Sequence, residues 1–312
     1  MTGEVLVVKL GAMGDILHTL PSAAAFRRAG WTVSWLVESK WADLLRENPA
    51  VDRLMELRRG SLWELLRSVV ELRRHRFERV VDFQGLIKSA VAARVAPSGE
   101  RWGFGYSLLR EKPAGLFYHR KLEPTPGHVV AMNLELAMAA GACGGPVEFP
   151  LPKGSREGEL PSEYVLASPL AGWPSKQWPV EHWSLIARLA RRELDLPLVV
   201  NGGPYDEGFL RSIGDALVHT STVSGLIHAT RGARAVVGLD SGPMHLAAAL
   251  SRPGVAIFGP TDPVRNGPYG GSIKVLRHPG AETSYKRHPK IAPSMLAISP
   301  EAVMASLKTV LA

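Results

Sequence analysis

The pattern of hydrophobic and polar positions alternates between short apolar runs and longer stretches with helical spacing. Short apolar runs bounded by turn residues predict strands at Val5–Leu10, Thr32–Val37, Val80–Phe83, Tyr164–Ala167, Pro197–Asn201, Ala235–Leu239 and Val255–Phe258. Helical spacing predicts helices at Ile16–Arg28, Leu62–Arg74, Val129–Ala140, Glu181–Arg192, Met244–Leu250 and Glu301–Leu311. Strands that alternate with helices indicate the α/β class, with parallel sheets covered on both faces.

The alternation is interrupted by one stretch rich in Gly, Pro and charge, Gly144–Ser162, which predicts an interdomain linker. A chain of 312 residues is long enough for two domains of about 150 residues each. We expect a first domain at residues 1–150 and a second at 151–312, and a return of the C-terminal helix to the first domain is compatible with this division. Two facing, doubly wound domains would place a cleft between the carboxyl ends of their strands.

The net charge of +8 is concentrated between Arg53 and Lys121, where fifteen Lys and Arg stand against seven Asp and Glu. This concentration indicates an anionic partner, such as nucleic acid, a phosphorylated lipid or a membrane surface. A solvated helix face is the alternative for its densest part, Glu71–Arg79. Nucleic acid is the weaker partner, because no recognised nucleic-acid motif is present.

The composition is ordinary for a globular enzyme, with 46% hydrophobic and 21% charged residues. Cys143 is the only cysteine, so we expect no internal disulfide and a reducing compartment. The sequence shows no export signal and no run of eighteen apolar residues, so we expect a cytoplasmic location without a membrane-spanning helix.

The segment Val236–Leu250, "VVGLDSGPMHLAAAL", predicts a strand, a tight turn and a helix. Ser241 or Gly242 suits the N-cap, and Pro243 suits the first helical position. The start of such a helix offers backbone N–H groups and a positive dipole end to an anion. Alone, the pattern is equally typical of a well-capped core helix.

Two further turns are expected at the same edge of the second sheet. "FGPTDP" (Phe258–Pro263) follows the next strand, and "GWPSKQWP" (Gly172–Pro179) follows the first strand of the second domain. Lys176 in the latter turn is a candidate counter-charge for phosphate. Motifs of dehydrogenases, P-loop proteins, α/β-hydrolases and zinc proteases are absent, as are a D-x-D pair and histidines at ligand spacing, which indicates no dedicated metal site.

Six motifs, in order, resemble the bacterial ADP-heptose:lipopolysaccharide heptosyltransferases, and most closely the first enzyme of that pair. They are "KLGAMGDILHTLP" (Lys9–Pro21), "DFQGLIKSA" (Asp82–Ala90), "REKPAGLFYHRK" (Arg110–Lys121), "SKQWPVEHW" (Ser175–Trp183), "LDSGPMHLAAAL" (Leu239–Leu250) and "GPTDP" (Gly259–Pro263). The resemblance implies the GT-B fold, with two Rossmann-like domains. It also implies inverting transfer of heptose from ADP-heptose to the Kdo of lipid A core, with no cofactor and no essential metal.

The resemblance also implies the roles of individual residues. Asp15 matches the catalytic base, and Asp206 matches an acidic residue that binds the ribose hydroxyls, with Glu207 as a possible substitute. The expected donor-binding residues are Lys176, Asp206, Asp240, Ser241, Gly242, His245 and Thr261. Cations expected to bind the anionic acceptor, at the inner face of the cytoplasmic membrane, are Arg58, Arg59, Lys88, Arg110 and Arg120. Ala171 and Gly172 replace hydroxyl residues of the family, so we expect backbone N–H groups to contact phosphate there.

Structural roles remain open for several of these residues. Asp15 is also suited to cap the helix that follows it, and Asp240 is suited to shape a turn. His245 and His18 are also suited to be buried side chains that pack against neighbouring elements. Alternative functions are another GT-B glycosyltransferase, a nucleotide-sugar epimerase and, outside the enzymes, a two-lobed solute-binding protein. The last is normally exported, so the missing export signal counts against it.

Overall fold

A computed structural model of the protein describes residues 3–284 and 286–312. The chain divides into two compact units, Met1–Pro152 and Lys153–Ala312. Each unit contains one six-stranded sheet whose neighbouring strands are all parallel. The predicted α/β class with two Rossmann-like domains is therefore confirmed.

The first sheet has the strand order β3-β2-β1-β4-β5-β6. Its strands are β1 (Glu4–Val8), β2 (Thr32–Glu38), β3 (Arg53–Leu57), β4 (Phe77–Asp82), β5 (Ser98–Phe104) and β6 (Arg120–Leu122). The helices of this unit are α1 (Met13–Leu17), α2 (Leu20–Arg28), α3 (Leu62–Arg73), α4 (Ile87–Val95) and α5 (Val129–Ala139). The core centres on β1, β2 and β4, whose apolar side chains are buried on both faces of the sheet.

The second sheet has the order β12-β11-β10-β7-β8-β9, which is the same winding about its own first strand. Its strands are β7 (Val165–Ser168), β8 (Leu198–Gly202), β9 (Leu217–Thr220), β10 (Ala235–Leu239), β11 (Gly254–Phe258) and β12 (Ile273–Arg277). Its helices are α6 (Val180–Leu194), α7 (Glu207–Arg211), α8 (Val223–Gly232), α9 (Gly242–Ala249), α10 (Pro263–Asn266), α11 (Pro293–Leu296) and α12 (Pro300–Leu311).

The predicted helix at Ile16–Arg28 is two helices in the structure, α1 and α2. The break precedes Pro21, which lacks an N–H and whose ring would clash with the carbonyl of Leu17 in a continuous helix. Thr19, in the break, donates its hydroxyl to the carbonyl of Asp15 at 2.9 Å. The break therefore separates the short helix that carries Asp15 from the longer helix that packs in the core.

Two further features concern the boundary and the end of the chain. The segment predicted as a linker forms no helix or strand, and the boundary between the two units falls inside it. The sequence allowed the C-terminal helix to return to the first domain. In the structure α12 packs within the second unit, where Val303, Met304 and Leu307 join a core that includes side chains of α6 and β11.

Candidate active site

The first switch point lies between β1 and β4, because the chain continues from these neighbouring strands toward opposite sides of the sheet. Gln84, after β4, accepts through Oε1 from the backbone N–H groups of Leu10 at 3.2 Å and Gly11 at 3.4 Å. The buried ammonium of Lys9 donates to the carbonyl of Phe83 at 2.8 Å. These bonds tie the loop after β1 to the loop after β4.

Asp15 lies in the first turn of α1 and is half-buried. Its Oδ2 accepts from the N–H of Ala12 at 3.1 Å, while Oδ1 has no hydrogen-bond partner within residues 3–284 and 286–312. Ala12, and not Asp15, occupies the N-cap position, but Asp15 accepts from the N-cap N–H and so still caps the start of α1. Gly11, which leads into this turn, has a φ of +154°, and a Cβ there would lie 2.7 Å from Nε1 of Trp41.

Asp82 is the last residue of β4, the strand beside β1, and is fully buried. Its carboxyl accepts from the hydroxyl of Tyr118 at 2.7 Å and from the N–H groups of Gln84 at 2.8 Å and Gly85 at 3.3 Å. Burial raises the pKa of Asp82 above its ordinary range, although these hydrogen bonds oppose the shift. No role was predicted for Asp82 or Gln84, although a carboxylate at the end of an apolar strand was the available signal.

Glu38, the last residue of β2, gathers cations at the carboxyl edge of the first sheet. Its Oε1 lies 3.0 Å from Nη1 of Arg59 and 2.9 Å from Nζ of Lys88, and its Oε2 lies 3.7 Å from Nζ of Lys40. Burial disfavours ionisation of Glu38, but Lys88 and Arg59 outweigh this effect and hold the pKa of Glu38 below its ordinary range. The N–H of Glu38 donates to the carbonyl of Leu10 at 3.1 Å, so the cluster adjoins the loop after β1.

The other three cations predicted to bind the acceptor do not join this cluster. Nε of Arg58 lies 3.9 Å from Glu56, and Nε of Arg120, on the edge strand β6, lies 3.5 Å from Glu100. Arg110 is exposed after β5 and forms no ion pair with any residue that the structure describes. Only two of the five predicted cations therefore share one site.

The second switch point, between β7 and β10, holds a buried ion pair. Lys176 follows β7 and Asp240 follows β10; Nζ and Oδ2 lie 2.5 Å apart, and the side chains are 12% and 9% exposed. The hydroxyl of Thr261, after β11, donates to the same Oδ2, and Nε2 of His245 lies 3.9 Å from Oδ1. Three predicted donor-binding residues thus surround the carboxylate of a fourth, Asp240, which orients the ammonium of Lys176.

The start of α9 lies beside this pair. Ser241 occupies the N-cap position, but its hydroxyl donates to the carbonyl of Leu239 at 3.1 Å instead of capping the helix. Gly242 is the first helical residue, and Pro243 in the first turn has no N–H to leave unpaired. The backbone of this turn therefore presents N–H groups and the positive end of the helix dipole, as expected for an anion site.

The loop after β7 contacts a cation, Arg287, that was not among the predicted site residues. The ring of Trp173 lies 4.5 Å from Nζ of Lys176 and 5.5 Å from the guanidinium carbon of Arg287. Arg287 is distant in sequence from every donor motif, so no local pattern marked it. The same loop contains Ala171 and Gly172. Apart from Gly172 and its two chain neighbours, no atom of the residues that the structure describes lies within 4 Å of where a Cβ of Gly172 would stand, so there is space for a ligand beside this backbone.

Asp206, expected at the ribose, lies in the turn after β8, at the same edge of the sheet. Its Oδ2 accepts from the N–H of Gly203 at 2.8 Å. Glu207, the possible substitute, forms an ion pair with Arg211 at 2.6 Å. Of the two carboxylates, Asp206 is the less exposed and is fixed by a backbone bond, so it is the better placed to act as a rigid acceptor.

Among residues 3–284 and 286–312, no group of three His, Cys, Asp or Glu side chains could hold a metal ion. In the same part of the chain, no helix combines the length and apolar character needed to cross a membrane.

Comparisons with known proteins give the same class of enzyme as the fold. Residues 65–294 match glycosyltransferase family 9 (heptosyltransferase). The chain is 31% identical to lipopolysaccharide heptosyltransferase 1 of Escherichia coli O18:K1:H7, over 90% of this chain and 93% of that protein. It is 32% identical to lipopolysaccharide heptosyltransferase 1 of Pseudomonas aeruginosa PAO1, over 86% of this chain and 82% of that protein.

Solved structures are similar over the whole chain. The structure of E. coli heptosyltransferase WaaC with ADP has a TM-score of 0.81 at 27% identity, and the match covers 98% of this chain and 99% of that one. A glycosyltransferase family 9 structure from Veillonella parvula has a TM-score of 0.84 at 21% identity, covering 99% and 97%, which shows the fold alone.

The fold with these two switch points is that of the GT-B glycosyltransferases, as the sequence motifs predicted. The chain belongs to glycosyltransferase family 9, the heptosyltransferase family. This membership confirms the predicted enzyme class and removes the solute-binding alternative.

Proposed function

We propose that the protein transfers heptose from ADP-heptose to a Kdo sugar of lipid A core in lipopolysaccharide biosynthesis, with inversion at the anomeric carbon. Two relatives, at 31% and 32% identity, are named lipopolysaccharide heptosyltransferase 1, and a similar structure is E. coli heptosyltransferase WaaC with ADP-2-deoxy-2-fluoro heptose, at 27% identity. The observation that carries the proposal is the contrast between the two switch points. The first presents the carboxylate of Asp15, and the second presents the ammonium of Lys176.

The second domain, in this proposal, binds the donor. Lys176 and the start of α9 stabilise the negative charge that develops on the diphosphate as the glycosidic bond to ADP breaks. Asp240 fixes the position of Lys176 but also neutralises it. Arg287, held beside Trp173, therefore supplies the further positive charge that a diphosphate requires. Asp206 accepts hydrogen bonds from the ribose hydroxyls.

The first domain, in this proposal, binds the acceptor and activates it. Asp15 takes the proton of the acceptor hydroxyl as its oxygen bonds to the anomeric carbon, and ADP leaves from the opposite face. The proton ends on the carboxyl of Asp15. Arg59 and Lys88 bind the carboxylates or phosphates of the acceptor, because the cations around Glu38 outnumber its single negative charge.

We further propose that this reaction takes place at the inner face of the cytoplasmic membrane, where the basic segment between Arg53 and Lys121 faces an anionic surface. The lipid portion of the acceptor supports this placement, since a lipid-linked substrate lies in a bilayer. Binding to vesicles that contain an anionic phospholipid, compared with neutral vesicles, tests it. Equal binding to both would contradict it.

The test of the function is ADP release from ADP-heptose in the presence of Kdo-lipid A. We expect release that depends on the acceptor and is not reproduced with a UDP-sugar as the donor. A UDP-sugar used as well as ADP-heptose would contradict the donor assignment. Transfer without a metal predicts that EDTA leaves activity largely intact, whereas complete loss restored by Mg²⁺ would contradict that part of the mechanism.

A further inference from the structure

The helix α3 carries more apolar side chains than the domain buries. Leu62 is 71% exposed, Trp63 is 76% exposed and Leu66 is 44% exposed, and Leu72 is the one side chain of α3 that is fully buried. By contrast, α6 of the second domain buries five side chains of its apolar face. A helix of this composition normally turns its apolar side chains toward a core. The exposed apolar side chains of α3 therefore indicate that an apolar ligand or partner binds at or near this helix.

Beside this surface, a cavity of about 320 Å³ lies between α3, α4 and the sheet. Apart from Ser68 and two cations, the residues that line the cavity are apolar. They are Leu36, Leu57, Leu65, Val69, Leu72, Val91, Ala92 and Val95. The volume is within the range of about 300–1,000 Å³ that is usual for small-molecule sites. An apolar ligand therefore fits the chemistry of this cavity.

The two charged residues that line the cavity are Arg59 and Lys88, which share the carboxylate of Glu38. Their side chains are 56% and 44% exposed, so they lie at the mouth of the cavity, and two cations against one carboxylate leave this mouth positive. Since the N–H of Glu38 bonds to the carbonyl of Leu10, the mouth lies next to the loop that leads to Asp15. An anionic group at the mouth would therefore lie beside the loop between β1 and α1, with the cavity behind it.

We propose that this cavity binds an acyl chain of the lipid acceptor, while Arg59 and Lys88 hold an anionic group of its headgroup. The proposal rests on the proposed function, since the acceptor there is a lipid. The apolar walls favour a hydrocarbon chain, and the positive mouth favours the anionic end of the same molecule. The cavity thus makes the enzyme select acceptors that carry a chain.

The direct probe is a series of alkyl phosphates, from butyl to decyl phosphate, titrated calorimetrically below their micelle concentrations. We expect the affinity to rise about four-fold for each added methylene until the cavity is full, and then to level off. Affinity that does not depend on chain length would overturn the proposal.

A matched pair of variants locates the effect. Val69 lines the cavity, whereas its neighbour Val70 is 51% exposed and does not. Val69→Phe should fill part of the cavity and weaken octyl phosphate binding about ten-fold or more, while Val70→Phe should leave it unchanged. Ala92→Leu fills the cavity from α4 and should repeat the loss if Val69→Phe folds poorly, which a melting curve reports.

Three outcomes separate this inference from surface docking of α3, from a cavity without a role in acceptor binding, and from failure of the proposed function. If octyl phosphate binding or binding to anionic vesicles responds to Val70→Phe as much as to Val69→Phe, α3 docks on a surface and the cavity proposal is wrong. If the wild type transfers heptose equally well to acyl-free and acylated acceptors, and Val69→Phe changes neither, the cavity is not part of acceptor binding. Chain-dependent binding of alkyl phosphates without any heptose transfer would instead contradict the proposed function and leave the cavity assignment intact.

Discussion

The two sheets of this protein share one winding order and carry opposite chemistry at the same place. At the first switch point, Asp15 presents a half-buried carboxylate on a short helix. At the second, Lys176 and Asp240 form a buried ion pair beside the start of α9. The strand order decides where ligands meet each domain, but the side chains after β1 and β7 decide which charge they meet. Identical topology therefore carries a carboxylate at one switch point and, at the other, an ammonium beside the start of a helix.

The surroundings of the two sites differ in the same sense. The loop that leads to the helix of Asp15 donates two backbone N–H groups to Gln84, and the ammonium of Lys9 in that loop donates to the carbonyl of Phe83, so none of the acceptors is ionised. The ammonium of Lys176, by contrast, is fixed by the carboxylate of Asp240, which also accepts from the hydroxyl of Thr261. Removal of the Asp15 carboxylate should therefore lower mainly the catalytic rate. Removal of the Lys176 ammonium should lower both the affinity for ADP and the free energy of unfolding.

The largest expected effect is that of Asp15→Asn. Loss of a positioned base should lower kcat by about 10²- to 10⁴-fold, while the melting temperature stays near that of the wild type. The asparagine side chain can still accept from the N–H of Ala12. Steady-state rates at saturating donor and acceptor measure the effect.

Asp15→Ala is the control for the structural part of this role. It should lose activity equally and also lose about 1 kcal/mol of stability, because the N–H of Ala12 loses its acceptor. A kcat of Asp15→Asn within a few-fold of wild type would leave Asp15 as a purely structural residue.

Lys176→Met tests the second switch point, where we expect the main loss to be in the free energy of unfolding. It leaves the carboxylate of Asp240 buried without its cation, so we expect a loss of stability of about 3 kcal/mol. Adding Asp240→Asn should recover much of that loss, since the uncompensated charge is removed. Urea unfolding of the single and double variants measures both steps, and equal stability of Lys176→Met and wild type would show that the pair is not structurally coupled.

A smaller effect is expected at the cations of the first domain. Arg59→Gln removes a group that we assign to the acceptor, so the KM for Kdo-lipid A should rise about five- to ten-fold while ADP affinity stays unchanged. Arg76→Gln is the matched control, because Arg76 is exposed and forms no ion pair with any described residue. Equal KM values for the two variants would show that Arg59 does not bind the acceptor and is an ordinary solvent-exposed residue.

The smallest effect concerns Glu38, whose pKa is held below its ordinary range. A lowered pKa contributes stability that is present above the unfolded-state value, about 4.3, and is lost as the pH falls through the folded-state value. Glu38→Gln should therefore cost about 1 kcal/mol at pH 7, with the gap to wild type closing below about pH 4. Urea unfolding against pH measures this gap, and Glu159→Gln, at an exposed carboxylate, is the control. A gap that persists unchanged in acid would contradict the charge interaction.

The sequence predicted the interior of each sheet and missed its edges. The seven predicted strands correspond to β1, β2, β4, β7, β8, β10 and β11, all interior in the observed order. The missed strands are the four edge strands and β5, whose sequence "SGERWGF" is largely polar. Interior strands of a parallel sheet are buried on both faces and form continuous apolar runs, whereas edge strands keep polar positions that mask the pattern.

The candidate site was predictable in part for a similar reason. Local turn chemistry after an interior strand marked Lys176, whereas Asp15 and Asp240 were marked by the resemblance of their motifs to the family. The bond between Lys176 and Asp240, however, joins residues 64 positions apart, and sequence spacing carries no sign of it. Arg287 and Glu38 were missed for the same cause, since both act through partners on other elements.

The central claim is that the two switch points divide the reaction between a base and an anion site. Calorimetric titration of ADP into wild type, Asp15→Asn and Lys176→Met, side by side at low temperature, tests it most directly. We predict that Asp15→Asn binds ADP as the wild type does and that Lys176→Met binds about 10- to 150-fold more weakly. Weakening of ADP binding by Asp15→Asn to the same extent, or unchanged binding in Lys176→Met, would contradict the division.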